Sequence, residues 1–182
     1  MVSRKTIPFV IAALLAAQPI AAAPRDGSHD FDPEFGSWTI HIRRLVHPLA
    51  HANDWVTYEG TKLVTPIWGG KADIAEVTAD GSAGHLQFIA LRLYDPVAHQ
   101  WSLNFASANA GTLGTPLVGE YRNGGIEFIG SDTFNGRNIL VRFISHEDGG
   151  DHASSEQYFS DDGGHTWELN WVNDYTRTKG SS

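Results

Sequence analysis

The sequence predicts an all-β chain folded as a closed up-and-down antiparallel barrel of about ten strands. Three observations predict it. After Ala23 no stretch keeps an apolar period of three to four residues. Short runs rich in β-branched and aromatic residues, alternating apolar with polar, take the place of helices. Between the runs stand Gly, Asn and Asp residues suited to the positive φ of tight hairpins. With 41% hydrophobic and 19% charged residues among 182, the chain has the composition of a packed domain rather than a disordered one.

The first element precedes the barrel. Arg4 and Lys5 form a cationic start, Ile7 to Ala17 an apolar run, and Ala21-Ala22-Ala23 a small-residue cleavage site. Residues 1–23 therefore read as a signal peptide, and residues 24–182 as a single barrel domain that is exported, to the periplasm or beyond. Pro8, Gln18 and Pro19 interrupt the apolar run, so the sequence predicts no stable membrane anchor once that segment is cut.

The strands follow in order: Trp38–Val46, Trp55–Trp68, Ala72–Ala79, His85–Tyr94, Gln100–Ala108, Thr115–Tyr121, Ile126–Ser131, Arg137–Ser145, Ser154–Ser160 and Thr166–Tyr175. Gly69-Gly70, Asp80-Gly81, Asn123-Gly124-Gly125, Asn135-Gly136, Asp148-Gly149-Gly150 and Asp162-Gly163-Gly164 supply turns. Connections this short pair neighbours antiparallel, and an open sheet so wide would curl and leave two bare edges. Closure removes both edges and leaves room for a small guest. In three runs the apolar set alternates with polar residues: Trp101, Leu103 and Phe105; Ile139, Val141 and Phe143; Trp167, Leu169 and Trp171. In a barrel facing water these sets point inward.

Charge and composition exclude several function classes. A net charge of −8 without a basic run gives no footprint for nucleic acid. With no cysteine, thiolate metal sites and a Cys nucleophile are excluded. His47 and His51 have a four-residue spacing, but Pro48 breaks the helix that would align them. His146-Glu147-Asp148 with Asp151-His152 reads as a solvated loop, and no single His stands out as a haem ligand. No cofactor or metal is expected.

Ser160-Asp161-Asp162-Gly163-Gly164-His165-Thr166-Trp167 matches the Asp-box pattern S-x-D-x-G-x-T-W, a hairpin device found in sialidases. One box cannot build a propeller, so it marks a well-formed turn. Trp101-Ser102-Leu103-Asn104-Phe105-Ala106 parallels Trp167-Glu168-Leu169-Asn170-Trp171-Val172, which suggests equivalent places for Asn104 and Asn170. Gly36-Ser37-Trp38 resembles the G-x-W that opens the first strand of lipocalins and related calycin barrels. That resemblance implies a basic residue packed over Trp38, and Arg177 stands where one is needed. Arg92-Leu93-Tyr94-Asp95-Pro96, Gln100 to Phe105 and Gly111 to Pro116 are similar to segments of a family of exported bacterial proteins of unassigned function, expected to form lipocalin-like barrels. It transfers no catalytic residue.

The function expected first is binding of a small hydrophobic or aromatic molecule inside the barrel, against Trp101, Phe105, Phe143, Trp167 and Trp171. The alternative is a cofactor-free lyase, isomerase or cyclase whose Arg92, Glu120, Arg142 and Glu156 meet in the same cavity. A third reading hides the aromatic face in a subunit interface, as in a homodimer.

Overall fold

The computed structural model describes residues 25–122, 125–147 and 150–178. The segment read as a signal peptide lies outside the described residues, as do Asn123-Gly124 and Asp148-Gly149 of two expected turns. A short 3-10 turn over Asp32–Glu34 precedes ten strands. These are β1 (Gly36–Leu45), β2 (Trp55–Ile67), β3 (Ala72–Gly81), β4 (Gly84–Asp95) and β5 (Gln100–Ser107), then β6 (Leu117–Arg122), β7 (Gly125–Phe134), β8 (Arg137–Glu147), β9 (His152–Ser160) and β10 (Glu168–Arg177). Each pairs antiparallel with its chain neighbours, and β1 pairs with β10 to close the barrel. The architecture is the closed up-and-down barrel that the alternation predicts.

Most strand boundaries differ from the expected ones by one to three residues, and four of the shifts have a local reason. β6 begins at Leu117 rather than Thr115, because Pro116 has no N–H to give to a ladder. Only Trp101–Gly119, Ser102–Val118 and Leu103–Leu117 join β5 to β6. β10 begins at Glu168, since Thr166 is spent on the turn: its amide and hydroxyl donate to Asp162 at 3.0 and 2.7 Å. β7 runs on to Phe134 and meets β8 through Asn135-Gly136, with φ of 49° and 77°, the primed geometry that suits a twisted hairpin. Asp80 and Gly81 belong to β3, and the chain reverses between the paired Gly81 and Gly84.

Period-two alternation sets the inward face. Trp38, Ile40 and Ile42 of β1 meet Lys62, Gly60 and Tyr58 of β2, and Leu103 and Phe105 of β5 meet Arg92 and Ala90 of β4. Ile139, Val141 and Phe143 point inward as expected. The expectation for β10 needs correction. The register shifts between Leu169 and Trp171, so Asn170 is an extra residue. Trp171 pairs with Gln157 and faces in, whereas Leu169 pairs with Tyr158 and faces out. Asn170 is buried at the bulge and Asn104 lies on the outer wall bonded to Ser102, so the two are not equivalent.

The N-terminal segment closes one end of the barrel. Phe31 packs edge-on to Trp101 at 5.0 Å and stacks near Phe128 at 6.2 Å. The Trp101 indole donates to Gly27 O at 2.9 Å, and Gly27 N donates to the Tyr94 hydroxyl. At the same end, the Arg177 guanidinium lies 4.0 Å from the centroid of the Trp38 ring and donates to Phe35 O and Pro33 O. This is the basic residue over the G-x-W tryptophan that the calycin resemblance implies. Replacing Arg177 with Met removes the stacking and both backbone bonds, so thermal unfolding should show a loss of about 1–2 kcal/mol with the barrel's circular dichroism unchanged.

Candidate functional site

Three inward residues of β3 and β4 are small. Ala75, Val77 and Ala90 leave space that Leu or Phe at those positions would fill, and a cavity of about 460 Å³ opens there. Phe88, Phe105, Phe143, Phe159 and Trp171 supply most of its apolar wall. One end rests on Phe31 and Glu34 of the N-terminal segment; the other, near Asn109, Thr115 and Asp132, leads toward solvent.

The floor is charged. Glu34 is 2% exposed and accepts a bond from Lys62 Nζ at 2.6 Å. Its second oxygen accepts from Ser145 Oγ at 3.1 Å, and Arg92 Nη1 lies 3.0 Å from the first. Arg92 Nε also donates to Asp73 Oδ1 at 2.7 Å, and its guanidinium lies 3.6 Å from the centroid of the Phe31 ring. Two carboxylates and two cations therefore balance among buried groups. Burial by itself would push Glu34 up, but Arg92 and Lys62 outweigh it and hold the carboxyl at about 2. Burial pushes Asp73 up, with Arg92 opposing.

One wall is polar. The Trp171 indole donates to Asn173 Oδ1 at 2.7 Å, and Asn173 Nδ2 donates to Ser155 Oγ at 2.8 Å. Ser155 shares a 2.8 Å bond with the Tyr175 hydroxyl, and Gln157 donates to Asn170 Oδ1 at 2.9 Å. Above them Arg44, the next inward residue of β1 after Ile42, also lines the cavity. Its guanidinium carbon lies 5.9 Å from the centroids of both Tyr58 and Trp171.

Of the five residues expected to hold a ligand, Phe105, Phe143 and Trp171 line this cavity. Trp101 and Trp167 do not. Trp101 faces inward but is 1% exposed beneath the N-terminal segment, which enters the barrel and takes the space beside it. Trp167 precedes β10 and lies on the outer wall, its ring 6.0 Å from the Arg142 guanidinium, because the bulge at Asn170 reverses the alternation. The set expected to meet in catalysis is likewise divided. Arg92 is inside, bound to Glu34 and Asp73. Glu120 bonds Arg122 on the outer wall. Arg142 pairs outside with Glu127, and Glu156 accepts from the Tyr158 hydroxyl at 2.6 Å. Among the described residues no group of three His, Asp or Glu side chains gathers to hold a metal.

Sequence reasoning passed over Glu34, Arg44, Lys62, Asp73, Ser155, Gln157 and Asn173. Arg44 and Lys62 carried a readable signal, since period two from Trp38 and Tyr58 reaches them. Glu34 carried none, because it precedes the first strand in an irregular segment.

Glu34→Gln should leave Lys62 and Arg92 short of a countercharge and cost about 3–5 kcal/mol in denaturant unfolding. The sign with pH follows from the lowered carboxyl. Glu34's contribution is complete above the unfolded value near 4.5 and is lost as pH falls toward about 2. The parent's stability should therefore fall through that window more steeply than the variant's.

No family model matches the chain, and no curated protein matches it. Among solved structures, the chain is similar to one described as EF1p2_mFAP2b bound to DFHBI. The identity is 10% and the TM-score 0.46, over 83% of this chain and 98% of that one.

Proposed function

We propose that the protein is an exported barrel that holds a small, largely apolar or aromatic molecule in its interior. The observation that carries the binding is the cavity of about 460 Å³, walled by Phe88, Phe105, Phe143 and Trp171. Ligand sites usually span about 300–1,000 Å³ with mostly apolar walls and a few placed polar groups. The small inward residues of β3 and β4 support the same reading. A core selected only for stability gains about 0.8 kcal/mol for each further methylene it buries. Export rests on the pattern of residues 1–23.

The enzyme alternative has less support, since Glu120, Arg142 and Glu156 occupy the outer wall while Arg92 is inside. N-phenyl-1-naphthylamine, a neutral dye whose emission rises in apolar surroundings, tests the binding reading. Residues 24–182 should take up one dye per chain, saturably. Ala90→Trp, which fills the space between Phe88 and Phe105, should weaken uptake at least about tenfold, roughly 1.4 kcal/mol. Its melting temperature should stay close to the parent's. An unsaturable signal, or full uptake by a folded Ala90→Trp protein, would overturn the proposal.

A further inference from the structure

Arg44 is a cation on the cavity wall with no carboxylate partner among the described residues. Among the described residues, the other two cations on the cavity are neutralised: Lys62 by Glu34, and Arg92 by Glu34 and Asp73. Arg44 forms no ion pair among them, and its Nε is buried without a hydrogen-bond partner. The rings of Tyr58 and Trp171 flank it at 5.9 Å and favour a cation without supplying a countercharge.

The register places this cation in a defined row. Arg44 pairs with Trp171 across β1 and β10, and Trp171 pairs with Gln157 across β10 and β9. All three line the cavity, with Phe105 and Phe143 among the apolar residues of its wall. A neutral apolar guest would bury the guanidinium further without supplying an acceptor or a countercharge, which is unfavourable for a buried charged donor. A carboxylate would supply the acceptor and the countercharge that the guanidinium lacks, in the two-pronged geometry that arginine offers.

We infer that the guest is an organic monoanion, an aromatic or acyl carboxylate, held by its carboxylate at Arg44 with its apolar body against Phe105 and Phe143. This inference rests on interior binding and deepens it.

The test compares 1-naphthoate with 1-naphthamide, nearly identical in shape, as competitors of bound N-phenyl-1-naphthylamine at neutral pH. The acid should displace the dye at a concentration at least about tenfold lower than the amide. Arg44→Gln should abolish that preference, the acid and the amide then competing at similar concentrations, and Arg44→Lys should retain part of it. Equal competition in the parent, or a preference that survives Arg44→Gln, would overturn the inference and leave interior binding standing. The parent comparison needs no variant, so a misfolded Arg44→Gln protein does not remove the test. If the dye itself does not bind, the interior reading fails and this one fails with it.

Discussion

Glu34 between Lys62 and Arg92 is the interaction on which the arrangement of the barrel depends. A lone carboxylate in that position would be expelled or neutralised by burial. Two cations from β2 and β4 let it stay ionised, and it fixes the segment that carries it across the end of the barrel. Phe31, three residues earlier, is thereby pressed against Trp101 and Phe128, and Gly27 against Tyr94. Without the ion cluster the end of the barrel would be an open ring of aromatic side chains. With it, the interior has a floor.

The two hydrophobic clusters show how the rest is divided. One joins Trp38, Ile40, Ile42 and Tyr58 to Val77 and Tyr175 along β1, β2, β3 and β10. The other joins Phe31, Trp101 and Phe128 to Val141 along β5, β7 and β8. Ala90 touches both, and the cavity opens beside it, where large side chains from β5 and β8 face small ones from β3 and β4. The cavity runs between the two clusters, from Phe31 and Glu34 at the floor to Asn109 and Asp132 at the mouth.

Much of the architecture was legible in the sequence because a hairpin and its alternation are local. Asn135-Gly136 states a primed turn in two residues, and Gly36-Ser37-Trp38 with Arg177 states the closing stack. What was not legible depended on one inserted residue or on the chain before the first strand. A bulge at Asn170 turns Trp167 outward while Trp171 stays in, and nothing in the composition of that run distinguishes the two. Trp101 was correctly placed on the inward face, yet a segment with no periodicity of its own covers it. Arg44 lay on a readable period but broke the apolar pattern, and a charge at the end of a strand reads as solvated until the wall around it is seen.

Three residue pairs lace β5 to β6, whereas ten join β2 to β3. A cylinder yields where its stitching is sparsest, because parting two strands there forfeits the fewest backbone bonds. That seam runs up to Leu117 and the bend containing Gly114 and Thr115, at the rim of the cavity. The aperture is therefore widest in potential along this side, and the hull can breathe there without disturbing the ionic knot at its base.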